Sequence, residues 1–160
     1  MAKTVLIVCQ ANTCRSVMAQ ALLERMLAER GVDGRIRVRS GGIGPYARDG
    51  MIASLDARIV LREHGIHLGE DTIVSTDLKA HPDVLAAADL VLTMTEDQKH
   101  LIRERLDGAD RAVYTLAEFA GEHGDIRDPV GQDEARYRAT RDEIRRRLEG
   151  SLERLLRLLG

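Results

Sequence analysis

The sequence predicts an α/β fold, a small doubly wound, four-stranded parallel sheet with helices on both faces. Two observations predict it. Apolar runs too short for helices alternate along the chain with stretches of helical period, and strands alternating with helices pair in parallel through right-handed crossovers. The first run, Val5–Val8, is apolar at every position rather than at every second one, the pattern of a strand buried on both faces. The 160 residues are enough for one domain, 1–160, with a core of its own.

A helix is predicted to follow from Ser16 to about Arg30, with Met18, Ala21, Leu22 and Met26 on one stripe and Gly31 ending it. Arg35–Arg39 alternates strictly, as a half-exposed edge strand does. Ser40-Gly41-Gly42-Ile43-Gly44-Pro45 reads as a flexible loop. A second helix is expected from about Met51 to His64, stopped by Gly65, and then an irregular stretch with a short helix over Asp77–Val84. Ala88–Thr93 is the next apolar strand, Glu96–Leu106 a helix, and Ala112–Thr115 a short strand running into Leu116–Ala120. A last helix covers about Asp133 to Leu159. With one Phe, three Tyr and no Trp, the core must be built from Leu, Val, Ile, Ala and Met.

Charge excludes some classes of partner. Against 26 acidic residues stand 24 basic ones, a net charge of −2, so nothing pulls the chain toward nucleic acid or membrane. The arginines of the last helix are interleaved with acids and read as a solvated face. Two cysteines five apart make neither a disulfide scaffold nor a zinc site, and the five histidines share no spacing. No stretch approaches the roughly 20 apolar residues of a membrane span. The start has no cleavage region, so a cytoplasmic location is expected, where a free thiol stays reduced.

Chemistry concentrates where the first strand ends, in Cys9-Gln10-Ala11-Asn12-Thr13-Cys14-Arg15-Ser16. A strand that breaks into a short loop and then a helix N-terminus turns backbone N–H groups inward on one anion. A thiol in that loop feels the same positive field, which favours the nucleophilic thiolate. Arg15 adds a two-pronged donor for phosphate oxygens. Ser16 stands at the expected N-cap, where it can cap the helix, hydrogen-bond Cys9, or both. The bare Cys-x5-Arg spacing is better explained by two buried thiols and a surface arginine; the strand before it and the helix start after it shift the balance toward an anion site. A thiolate attacking phosphorus also needs an acid to protonate the leaving group. Asp128, extended by the following Pro129 and flanked by Gly124 and Gly131, is the candidate, and Asp125 is a weaker rival. On these residues alone, a plain Asp-Pro turn before the last helix also fits.

Together these segments resemble the low-molecular-weight protein tyrosine phosphatase family, whose signature is a strand, then Val-Cys-x-Gly-Asn-x-Cys-Arg-Ser-Pro, and much later an Asp-Pro loop. The matching stretches are Val8–Ser16, Met18-Ala19, Ser40-Gly41-Gly42, Ala88–Met94 and Asp128-Pro129. Thr13, Met94-Thr95 with Lys99, Tyr114–Phe119 and His123-Gly124-Asp125 are similar to its bacterial protein arginine phosphatase branch; tyrosine-directed relatives usually carry Ile or Leu at the Thr13 position. The resemblance implies a sheet order 2-1-3-4, Cys9 as nucleophile, Arg15 as phosphate clamp and Asp128 as acid and then base. It implies that Asn12 and Ser16 hold the loop, with Gln10, Ala11, Thr13 and Cys14 completing the phosphate site, and that no metal or cofactor is used. The expected partner is a phosphorylated protein, met by a monomer. A hydroxyl at Thr13 can hydrogen-bond a guanidinium nitrogen or the attacking water, whereas a branched apolar side chain there would pack against a phenyl ring.

Three positions depart from the pattern. Ala11 replaces glycine, a cost of about 1 kcal/mol if φ there is positive. Val17 replaces proline in the first helical turn, and Val130 stands where relatives carry an aromatic. The expected function is hydrolysis of protein phosphoarginine through a cysteinyl-phosphate. The alternatives are a tyrosine phosphatase, an arsenate reductase (which needs resolving cysteines that do not follow Cys14) and an inactive anion-binding module. A Cys9–Cys14 disulfide that protects an oxidised Cys9 and an inert Cys14 are equally open.

Overall fold

A computed structural model describes residues 2–107 and 109–160. Its strands are β1 (Lys3–Cys9), β2 (Ile36–Gly42), β3 (Leu90–Thr93) and β4 (Ala112–Thr115). The helices are α1 (Arg15–Glu29), α2 (Leu55–Arg62), α3 (Pro82–Ala86), α4 (Glu96–Leu106), α5 (Leu116–Phe119) and α6 (Glu134–Leu159). The sheet is parallel throughout in the order β2-β1-β3-β4, as the resemblance implied.

Central β1 is apolar from Val5 onward because both of its faces are covered there. Val5, Ile7 and Cys9 point into a core shared with α1, α2, α5 and α6, while Leu6 and Val8 point into a second core with α3 and α4. The two-residue period therefore delivers Cys9 to the α1 side of the sheet. Its carboxyl end lies beside Gly42 of β2, its partner in register. Ligands of open α/β sheets bind beyond these strand ends.

Several boundaries differ from the sequence expectation. Ser40-Gly41-Gly42 is not a loop but the end of β2. Its glycines serve close approach rather than flexibility. A Cβ on Gly42 would stand 2.9 Å from the Ala11 carbonyl carbon and the Gln10 oxygen, both backbone atoms of the loop after β1. Gly42→Ala is accordingly expected to displace that loop, costing about 1–3 kcal/mol as overpacking does. A lowered Tm together with a lowered kcat/KM would show it; an unchanged Tm would refute it.

The second helix begins at Leu55 rather than Met51, since Ile52 bridges Val74 in antiparallel fashion and Ser54 caps the helix through Ala57 N–H. The arginines of α6 are not uniformly solvated either. Arg141 is buried and donates to the Val60 carbonyl (2.8 Å) and to Glu63 (2.6 Å), tying α6 to α2. With Arg138 it holds the Glu63 carboxyl well below its usual range, to about 2. Arg147, also buried, donates to the Gly124 carbonyl at 2.8 Å.

Candidate active site

Helix α1 starts one residue earlier than expected, with Cys14 at its N-cap and no side-chain cap. Ser16 therefore lies inside the first turn, and its hydroxyl is free for other work. It sits 2.9 Å from Cys9 Sγ. Asn12 Nδ2 donates to the Ser16 oxygen at 2.8 Å, which leaves the hydroxyl proton to point at sulfur. Asn12's own backbone N–H is also aimed at Sγ, at 3.3 Å. Two donors thus converge on Cys9, itself only 3% exposed at the floor of the site.

The left-handed residue of the loop is Asn12, with φ 61°, and not Ala11. The strain expected of alanine does not arise, because the positive φ falls on a residue type that tolerates it. The Asn12 side chain further accepts Thr76 N–H through Oδ1 at 2.9 Å, which fixes the amide's orientation toward Ser16. The Thr13 carbonyl accepts Ser54 N–H at 2.9 Å, and Gln10's accepts Gly44 N–H at 2.9 Å. The N–H groups of Ala11, Thr13 and Cys14 have no acceptor among the described residues, and those of Arg15 and Ser16 are the unpaired donors of a helix's first turn. Val17 is buried and completes that turn without proline.

Arg15 is 4% exposed and anchored by donating from Nη1 to the Ile126 carbonyl at 2.8 Å. Its Nη2 lies 3.6 Å from Asp128 Oδ2. The carboxylate's other oxygen, Oδ1, accepts Val130 N–H at 3.0 Å, so Oδ2 is the oxygen turned toward the arginine. The loop bearing Asp128 is held from several sides: Ile126 N–H donates to the Met94 carbonyl (2.9 Å), and Arg147 grips the Gly124 carbonyl. Asp125 points elsewhere, accepting Glu96 N–H at the start of α4 at 2.9 Å. The His123 side chain is exposed, and only its carbonyl takes part, accepting from Arg147.

Cys14 is buried beside the site, and burial pushes its thiol up, with the Cys9 and Asp128 charges adding to the effect. The two cysteines are thus chemically unlike: one faces two donors, the other is kept as a neutral thiol. Sequence reasoning missed Tyr137 of α6, which is buried against Ser54 near Cys14, Asp56 and Asp128, with its phenol pushed up mainly by burial. A signal existed, since Tyr137 lies on the helical stripe continued by Ile144, Leu148 and Leu155. Thr76 and Ser54 were missed too, and they act through backbone N–H groups that no side chain advertises.

Every residue of the predicted Cys9–Ser16 site and Asp128 thus meets at the carboxyl end of β1. The arrangement can bind a tetrahedral anion in free N–H groups, clamp it with a guanidinium, and present sulfur on one side and a carboxyl on the other.

Known proteins share this plan. Residues 4–158 match the model of the family described as low molecular weight phosphotyrosine protein phosphatase. A protein-arginine-phosphatase of Geobacillus stearothermophilus is 40% identical, covering 94% of this chain and 95% of its own. That of Bacillus subtilis is 36% identical, covering 98% and 93%. A solved cysteine-to-serine mutant of a YwlE arginine phosphatase, with a phosphorylated active-site serine, superposes with a TM-score of 0.86 at 34% identity, over 97% of this chain and 99% of that one. The family model and these near full-length likenesses agree, and the chain belongs to the low molecular weight phosphotyrosine protein phosphatase family.

Proposed function

We propose that this protein is a cysteine-dependent protein phosphatase that hydrolyses phosphoarginine through a cysteinyl-phosphate intermediate. The observation that carries the chemistry is the convergence on Cys9 Sγ of the Asn12 N–H and the Ser16 hydroxyl, together with the Arg15–Asp128 pair at 3.6 Å. The phosphoryl oxygens lie among the free loop N–H groups and the Arg15 guanidinium, which stabilise the charge as bonds to phosphorus change. Cys9 thiolate attacks phosphorus. A P–S bond forms while the P–N bond breaks, and Asp128 supplies the proton that lets the guanidine leave neutral. The Asp128 carboxylate then takes a proton from water, which attacks phosphorus, breaks the P–S bond and releases inorganic phosphate with the thiolate restored. The relative trapped with a phosphorylated active-site serine supports such a covalent step.

Phosphoarginine is favoured over phosphotyrosine by Thr13, whose half-buried side chain lies on a loop segment pinned through its carbonyl by Ser54. It is favoured also by the substrate class of the relatives named above. The substrate is then a phosphorylated protein.

Side-by-side kcat/KM values for phosphoarginine and phosphotyrosine peptides test this, with the former expected to be larger. Thr13→Ile is expected to shift the ratio toward phosphotyrosine by about tenfold or more, the worth of a hydrogen bond to a charged group. A wild-type preference for phosphotyrosine would replace the arginine reading with a tyrosine phosphatase. An unmoved ratio in Thr13→Ile would remove Thr13 as selector.

A further inference from the structure

The exposed apolar side chains of this protein are unevenly placed. Among the described residues, large hydrophobic side chains with marked exposure are Tyr46, Met51, Ile52, Leu55, Val74 and Val130, together with Leu101 on α4 and Leu158 on α6. The first six border the phosphate site through the backbone. Leu55 adjoins Ser54, which holds the Thr13 carbonyl, and Ile52 lies two residues before it. Val74 lies two residues before Thr76, which holds Asn12. Met51 exchanges hydrogen bonds with Ser75, at 2.9 Å and 2.8 Å. Tyr46 follows Gly44, bound to the Gln10 carbonyl, and Val130 N–H binds Asp128 itself.

Single exposed apolar residues are ordinary, but their gathering around one mouth is not. Met51, Ile52, Leu55 and Val74 lie on two segments that hydrogen bonds join into one rim, the lip. Ile52 and Val74 pair in an isolated antiparallel bridge, and Leu55, 63% exposed, opens α2 three residues after Ile52. Cys9 lies at the buried floor, so a phosphorylated side chain reaches it only when the chain that carries it comes down onto this rim. Residues flanking the phosphorylated one must then rest on the lip. Exposed Asp56, next to Leu55, disfavours acidic residues there.

We propose that Met51, Ile52, Leu55 and Val74 form a docking lip for aliphatic residues that flank the phosphorylated side chain in an extended segment of the substrate protein. This rests on the phosphatase reading above and adds to it a sequence preference read outside the phosphate loop. The occupant is a substrate segment rather than a second copy of this chain, because the lip is continuous with the site that a phosphorylated residue must enter.

The test uses equal-length phosphoarginine peptides flanked by Leu and Val, by Ser and Gly, or by Asp. Free phosphoarginine serves as the substrate without flanks. The aliphatic peptide is expected to exceed the Ser/Gly one in kcat/KM by about tenfold, mostly through KM, the effect of partly burying one or two aliphatic side chains. The Asp peptide is expected to be the poorest. In the double variant Ile52→Ser, Leu55→Ser the peptide preference should vanish while kcat/KM for free phosphoarginine stays within about twofold, since both side chains are exposed and neither residue hydrogen-bonds to the phosphate loop. Equal rates for all flanks, or a preference surviving the double variant, overturn the lip. If free phosphoarginine is not turned over, the same flanks on phosphotyrosine peptides carry the test. Aliphatic preference lost in the double variant then still supports the lip while the arginine reading falls. Sedimentation of both proteins completes it: a dimer dissolved by the substitutions with peptide preference intact would make the lip a self-contact and overturn the proposal.

Discussion

Replacing Cys9 by serine is expected to lower kcat by about 10⁴-fold or more toward phosphoarginine and aryl phosphates alike, as removal of a nucleophile does elsewhere. The Asn12 N–H and the Ser16 hydroxyl that face position 9 cannot ionise an alcohol, whose intrinsic acidity is far weaker than a thiol's. Cys14 is no substitute, since burial keeps its thiol protonated. What the substituted side chain can do is accept a phosphoryl group once and release it slowly, because an oxygen ester gives up phosphate less readily than a thioester. Intact-mass measurement after incubation with substrate should therefore find one phosphoryl group on the Cys9→Ser protein, mapped to position 9. Turnover within tenfold of wild type would show that sulfur at this position is not the attacking atom.

Asp128→Asn is expected to lower kcat for phosphoarginine by about 10²–10⁴-fold, the range of general acid–base catalysis. The loss should depend on the leaving group and on the step observed. Asparagine keeps the shape of the side chain and the acceptor for Val130 N–H, so the loop should stay in place against Arg15. With a 4-nitrophenyl ester, whose leaving group needs no proton, the first burst of nitrophenolate should remain near wild type while steady turnover falls, because water still needs the carboxylate. Rapid-mixing kinetics separates the two phases. Loss of the burst to the same extent as turnover would assign Asp128 to substrate positioning rather than proton transfer.

The pairing of strands and helices was legible because it rests on periodicity. β1 showed its place through the unbroken apolar run Val5–Val8, and β2 its edge position through the arginines of Arg35–Arg39. Where two interpretations share one composition, the sequence misled. Ser40-Gly41-Gly42 has the composition of a loop, yet it continues β2, because Gly41 and Gly42 make room for Leu78 and for the loop after β1. Met51–Ser54 extends a helical pattern but bridges Val74 instead. Ser16 has the chemistry of a cap, yet Cys14 takes that position and the hydroxyl turns to sulfur. Arg141 and Arg147 look like solvated charges until α2 and the Asp128 loop supply carbonyls for them to bind.

Residues that must act through their own side chains left their mark in the chain. Cys9, Arg15 and Asp128 are candidates by their chemistry, but their spacing alone fits buried thiols, a surface arginine and a plain Asp-Pro turn; only the likeness of the surrounding segments to a known family singled them out. The positive φ falls on Asn12, a residue type that tolerates it, but the Thr76 N–H that holds its side chain comes from 64 positions away. The same holds for Ser54 on the Thr13 carbonyl, for the Ile126 carbonyl that aims Arg15, and for the apolar lip along Ile52, Leu55 and Val74. Backbone N–H and carbonyl groups are common to nearly every residue type, so their partners carry no signature until folding brings distant segments within about 3 Å.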